Sequence, residues 1–332
     1  MIASIEFTNF KVLRSARIEL GPFNLLIGPN GSGKTSALLA LQRLRQFAAR
    51  PPAFGGGPGA GAGAESPGLL HFRFTPPFHD LEAFIDCAPD GSGRVLRVEG
   101  TGDLPGRWGQ LVSRLTTLRV IALDQAALAR PSPAGAPIML GDDGTNLPAA
   151  LHRLEREEPE SFARVQAEFR RVLPEYRSIG VAVAPDGARR LVAGIEGEDR
   201  RLGAEDLSQG TLVLLGLLVL TQARPAPAIL CLEEIDRGMH PRLLREIRDL
   251  LYRLSYPSAG GLVSQILATT HSPYLLDLFR EQLEEVIVTQ KRGAEATFER
   301  LSDREDLRGA IGNASLGDLW YSGILGGVPD ES

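Results

Sequence analysis

The feature that most constrains this chain of 332 residues is the run GPNGSGKT at Gly28 to Thr35. It stands between an apolar run, Phe23-Asn24-Leu25-Leu26-Ile27, and an apolar-periodic stretch reaching about Gln46. A GxxxxGKT pattern that closes a strand and opens a helix is a phosphate-binding loop. Glycines at 28, 31 and 33 let the backbone curl with its N–H groups pointing inward, at the positive end of the following helix. Lys34 supplies a point charge for the β and γ phosphates, and the Thr35 hydroxyl is placed to ligate Mg²⁺. Pro29, Asn30 and Ser32 complete the loop, and Ser36 follows in the first helical turn. Gly28 to Ser36 is therefore the expected nucleotide contact.

Bulk properties bound the rest. The chain is long enough for one large domain or two lobes, and 43% hydrophobic with 23% charged residues is the composition of a globular protein. A net charge of -5 gives no global basic field for nucleic acid. The first fifty residues nevertheless hold Lys11, Arg14, Arg17, Arg43, Arg45 and Arg50 against Glu6 and Glu19, a local basic excess. Cys87 and Cys231 are too few and too far apart for a disulfide framework or a metal cluster, which fits a reducing compartment. The longest apolar run, Leu212 to Leu220, is too short to span a bilayer, and the MIASIEFTNFK start alternates like a strand rather than a signal peptide. A cytoplasmic protein is expected, with no membrane partner.

Ile2 to Phe7 and Ala16 to Leu20 read as strands ahead of the phosphate-loop strand. The low-complexity stretch from Pro51 to Gly68, PPAFGGGPGAGAGAESPG, reads as a mobile linker. Further β structure is expected at His71 to Phe74, Leu81 to Cys87, Arg94 to Glu99 and Leu118 to Leu123. Two helices, Leu147 to Glu157 and Pro159 to Val172, follow from apolar residues at helical spacing and are too short for a long coiled coil. Ser178 to Ala184 and Leu191 to Ile195 read as a hairpin. A capped helix from Ser208, a strand at Ala228 to Leu232, a helix from Pro241, a strand at Gln265 to Thr270 and a helix from Pro273 come next. The pair Glu285 to Gln290 and Ala296 to Leu301 closes the sheet, and Ser302 to Asp306 reads as a capped, charged helix start.

Three short runs narrow the chemistry. Ile229-Leu230-Cys231-Leu232 delivers Glu233 and Glu234 to the C-terminal end of a buried strand, where open α/β sheets bind ligands. Glu233 is placed to hold Mg²⁺ and Glu234 to activate the attacking water. In Leu207-Ser208-Gln209-Gly210-Thr211, Ser208 caps a helix, and the same N-terminus is able to grip a γ phosphate from a second copy of the chain. His271, between a β-rich run and Pro273, is placed to hydrogen-bond that phosphate.

This set, in this order, resembles the ATP-binding-cassette ATPases, and within them the soluble branch of chromosome-maintenance (SMC) and RecF-type heads and the ATPase part of the overcoming-lysogenization-defect nucleases. FTNFKVLRSARIELGPFNLLIGPNGSGKTSAL looks like the opening of that branch. LSQGT matches its signature motif, LCLEEIDRGMHP its Walker B, catalytic glutamate and D-loop, and ATTHSPYLLD its switch histidine. The likeness covers roughly residues 1 to 50 and 200 to 280. It implies an α/β P-loop NTPase: an ABC ATPase head with a mixed central sheet, an N-terminal antiparallel β lobe, and a helical lobe that carries the signature. The expected ATP-binding lobe spans 1–125 and 223–332, and the insert lobe 126–222. Glu233 stands where most of the superfamily has Asp, and Gln110 and Gln125 are alternative positions for the Q-loop glutamine.

The resemblance further implies ATP and Mg²⁺ as cofactors, with Glu234 and His271 catalytic and Thr35 and Glu233 at the metal. Gly28 to Ser36 would hold the nucleotide from one side and Ser208, Gln209 and Gly210 of a second copy from the other, giving an ATP-sandwiched homodimer. DNA, and a nuclease or toxin effector acting in trans, are the partners it implies, in genome maintenance or antiphage defence. No DxD cluster with a fresh βα pattern follows His271, so a nuclease in the same chain is not expected. An energising subunit of a transporter and a small-molecule kinase are the other classes a phosphate loop allows.

Overall fold

A computed structural model describes residues 1–55, 68–88, 93–222, 224–257, 263–292, 295–307, 309 and 314–326. The core of the expected linker, 56–67, lies outside the described residues. On its flanks Ala53–Phe54 (β4) is a short strand and Gly68 opens another. By internal contact the chain forms two compact units. One is Met1–Val120 with Pro227–Ile235 and Tyr252–Ser332, and the other is Ile121–Ala226 with Asp236–Leu251.

The first unit holds two sheets. In the outer one, β1 (Ile2–Phe10), β2 (Leu13–Glu19), β5 (Gly68–Phe74), β6 (Glu82–Cys87) and β7 (Gly93–Glu99) run antiparallel in the order β2-β1-β5-β6-β7, with β4 parallel on the β7 edge. The strands alternate: Ile5, Phe7, Leu70, Phe72 and Ile85 are buried, while Arg17 and Glu6 pair across the more open face at 2.8 Å. This is the half-buried pattern of an antiparallel sheet.

The second sheet has the order β15-β14-β3-β13-β12-β8, from β3 (Phe23–Ile27), β8 (Arg119–Ile121), β12 (Ile229–Leu232), β13 (Gln265–Thr270), β14 (Val286–Arg292) and β15 (Glu295–Arg300). β3 lies parallel between β13 and β14, and β15 returns antiparallel. Every residue of β3, β12 and β13 is buried, as befits parallel strands covered on both faces. α1 (Lys34–Ala48) buries Ala37, Leu38, Leu41, Leu44 and Ala48 at helical spacing. Emptying one such leucine site costs about 2–5 kcal/mol.

Buried Gln265 ties the start of the chain to this sheet. Its Oε1 accepts from Ile2 N at 3.0 Å, and its Nε2 donates to the carbonyls of Ile2 and Gly21 at 2.8 and 2.9 Å. Both cysteines are buried and unbridged, and burial pushes the Cys231 thiol well above its ordinary value, so it is a core residue without thiolate chemistry.

In the second unit α6 (Gln209–Thr221) is apolar all round and buried from Gly210 to Leu220, so it forms the unit's axis. α3 (Gln125–Ala129), α4 (Leu147–Glu157) and α5 (Pro159–Val172) pack on it, and α4 and α5 also pack on a sheet of β9 (Tyr176–Val183), β10 (Arg189–Ile195) and β11 (Arg201–Gly203). α7 (Pro241–Ser255) begins in this unit and ends in the first. No helix among the described residues is long and apolar enough to cross a membrane, and the longest, α1 and α7, run 15 residues.

Three elements differ from the sequence reading. Leu104–Leu115 is a helix, α2, that composition hides: Gly106 and Gly109 lower its propensity, yet Asp103 caps it and Trp108, Leu111 and Leu115 face the core. The expected strand at Leu118 to Leu123 is only β8, because Asp124 caps α3 at once. Ser302 to Asp306 is not a helix start but falls in two 3₁₀ turns, Leu301–Asp303 and Glu305–Leu307.

Candidate functional site

At the C-terminal end of β3 the chain must turn sharply, and its neighbours leave room only for glycine. A Cβ on Gly28 would stand 1.8 Å from Thr289 Oγ1 and 2.5 Å from its carbonyl oxygen, on β14. Gly31 and Gly33 hold left-handed backbone, with φ +75° and +106°, and a Cβ on Gly33 would also lie 2.6 Å from Leu13 Cδ2. Ser32 and Thr289, both fully buried, share a hydrogen bond between their hydroxyls, which anchors the loop from beneath. Lys34 folds back over the loop, its Nζ donating to the carbonyls of Gly28 at 2.6 Å and Pro29 at 3.0 Å. An incoming phosphate would exchange these neutral acceptors for charged ones, the stronger partners of an ammonium.

Glu233 and Glu234 follow β12 directly. The Thr35 hydroxyl donates to Glu233 Oε1 at 2.7 Å, which sets the second residue of α1 against the first carboxylate. Glu234 adopts φ +48°, uncommon outside glycine and concentrated at functional positions. That turn is held from β13: Glu234 N donates to Thr269 Oγ1 at 2.9 Å and Ile235 N to the Thr269 carbonyl at 3.1 Å. Beyond β13, Ser272 N bonds Thr270 Oγ1 at 2.9 Å and Ser272 caps the short helix α8 (Pro273–Asp277), which fixes the stretch around His271.

These residues enclose a polar cavity of about 130 Å³. Asn30, Gly31, Gly33, Lys34, Thr35 and Ser36 form one side, and Glu233, Glu234, Thr269 and His271 the other. Pockets that enclose a whole small ligand run to roughly 300–1,000 Å³, so this one suits the phosphate end of a nucleotide. Gly28, Pro29 and Ser32 shape the loop without lining the cavity.

The donor set also fits Mg²⁺. One hydroxyl and one carboxylate, hard oxygens 2.7 Å apart, are the protein share of a site in which phosphates and water supply the remainder. No cluster of three or more His, Cys, Asp or Glu able to hold a metal by itself occurs among the described residues.

Sequence reasoning missed three members of this neighbourhood. Val12, from the tip of the β1–β2 hairpin, lines the cavity, Thr269 orients Glu234, and Thr289 supports Ser32. Thr269 carried a signal in its place two residues before His271. Val12 and Thr289 carried none, because their roles depend on strand pairing. Ser208 to Gly210 belong to the second unit, at the N-terminus of α6, where Ser208 Oγ accepts from Thr211 N at 3.1 Å. Gln110 is exposed within α2, and Gln125 is exposed as the first residue of α3.

Known proteins agree with this architecture. A family model described as "AAA domain, putative AbiEii toxin, Type IV TA system" matches residues 117–277, and one described as "AAA ATPase domain" matches residues 1–54. Among solved structures, an SMC head bound to the C-terminal winged-helix domain of ScpA is 16% identical, with a TM-score of 0.62 over 90% of this chain and 97% of that one. The SMC head with an extended coiled coil from Pyrococcus furiosus, bound to the C-terminal domain of ScpA, is 14% identical, with a TM-score of 0.59 over 94% and 99%. No curated protein matches.

Proposed function

We propose that this chain, an AAA-type P-loop ATPase with the fold of an SMC head, hydrolyses ATP and works as a switch that closes as a homodimer around the nucleotide. The observation that carries the reading is the convergence of the phosphate loop with two successive carboxylates, joined by the 2.7 Å bond from Thr35 to Glu233. Lys34 and the uncapped N-terminus of α1 bind the β and γ phosphates. Thr35 and Glu233 hold Mg²⁺, whose chemistry when bound is to neutralise charge building on the phosphates. Glu234 takes the proton of the attacking water, oriented by the bond from its backbone to Thr269, and His271 hydrogen-bonds the γ phosphate from the same wall.

Ser208 and the backbone N–H groups that open α6 complete the site from a second copy, so ATP clamps two chains and hydrolysis releases them. The protein is cytoplasmic in this reading, and its output is control of a DNA-directed or toxin-type effector encoded separately. Support for that output comes from the family description that names a type IV toxin–antitoxin system and from the two similar SMC heads that were solved with a bound domain of ScpA.

Light scattering of the Glu234→Gln chain tests the switch. With ATP and Mg²⁺ it should move from monomer to dimer while wild type, which turns over, does not accumulate. A Glu234→Gln chain that binds ATP yet stays monomeric rules the clamp out.

A further inference from the structure

The second unit holds a contact that the nucleotide chemistry leaves unused. After Glu234 the chain forms a turn in which Met239 N donates to the Asp236 carbonyl at 3.0 Å, with Gly238 third in the turn at φ +69°. That place and that φ are where a type II turn takes glycine. Gln209 opens α6, directly after the Ser208 cap. A Cβ built on Gly238 would stand 2.2 Å from both Cδ and Oε1 of Gln209 and 2.7 Å from its Cγ, so the glutamine side chain fills the space a residue at 238 would need. Gly210 closes the same seam: a Cβ there would meet Leu243 Cδ1 at 3.0 Å and both the Gly238 carbonyl oxygen and Met239 Sδ at 3.5 Å.

We propose that Gln209 is a positioning residue rather than a nucleotide ligand. Its side chain is wedged over Gly238 of its own chain and fixes the turn from Asp236 to Met239 against the start of α6. Contact with a phosphate then falls to Ser208 and the backbone around Gly210. The turn so held begins two residues after Glu234, so the effect of the wedge is read in turnover and not in the capture of nucleotide. A shape-based wedge depends on the bulk of the side chain, and a polar ligand depends on its amide.

The inference rests on the ATPase reading for its readout, and four variants of the full chain, three single and one double, decide it. Gln209→Ala should lower kcat by about ten- to a hundredfold, the usual cost of a small misplacement remote from the chemistry. Its affinity for ADP, held by the phosphate loop alone, should stay at the wild-type value and report an intact fold. Gln209→Met, which keeps the bulk and removes the amide, should stay within about threefold of wild type. Gly238→Ala, which displaces the glutamine, should lower kcat at least as far as Gln209→Ala does. Adding Gln209→Ala to it should then cost less than about twofold more, as expected for two changes to one contact.

If Gln209→Met loses as much as Gln209→Ala, the amide is the active part and the wedge is wrong. Multiplying losses in the double variant overturn it equally. The clamp is judged separately, on the Glu234→Gln dimer, so either idea can fail without the other.

Discussion

The N-terminus of α1 has Gly33 at its cap position, with φ +106° and no side chain accepting from the first turn, whereas that of α6 has Ser208, whose hydroxyl accepts from Thr211 N. Every helix start leaves N–H groups without an intrahelical partner. In α1 the first helical turn lines a cavity beside Lys34 and calls for an anion, so in the proposed function the first unit is a phosphate site in its own right. In α6 the chain satisfies part of the need itself, and the helix stands whether or not a phosphate is present. The contrast predicts a strong site on one unit and a conditional one on the other.

Four substitutions test that contrast, beginning with the largest effect. Glu234→Gln should lower phosphate release by about 10²–10⁴-fold, the contribution of a positioned general base, while a fluorescent nucleotide titration finds binding intact. Lys34→Ala should weaken nucleotide binding by roughly ten- to a hundredfold, since a hydrogen bond to a charged group is worth about 1.5–3 kcal/mol. Ser208→Ala should leave ADP binding by the single chain unchanged in the same titration; equal losses in both variants would break the contrast. Gly33→Ala puts a side chain at φ +106° against Leu13 and should cost about 1–3 kcal/mol of stability, read as a lower melting temperature. The smallest effect is on the stability of Ser208→Ala itself, about 1 kcal/mol for a lost helix cap.

Much of the candidate site was legible because its residues are contiguous in the sequence. Gly28 to Thr35, Glu233 with Glu234, and His271 each follow a buried strand, and strands of that kind announce themselves as short apolar runs. The sheet order brings them together, with β3 paired to β13 and β13 to β12. What stayed hidden depends on pairing across the fold. Thr289 meets Ser32 because β14 lies beside β3. Val12 reaches the cavity because the β1–β2 hairpin turns through left-handed Asn9 and Lys11. Gln209 reads in sequence as part of a phosphate-gripping end, and only the left-handed turn at Gly238 gives its side chain another place to go. α2 escaped for a local reason, since two glycines mask an apolar face that Trp108, Leu111 and Leu115 define.

If one working site needs two copies of the chain, two inactive variants should restore each other on mixing. Lys34→Ala lacks the phosphate grip of the first unit, and Ser208→Arg blocks the N-terminus of α6 in the second. Neither should hydrolyse ATP alone. Combined, they form a dimer in which the intact loop of one chain faces the intact α6 of its partner, and phosphate release should return. Mixed chains that stay as inactive as each variant alone would contradict a shared site.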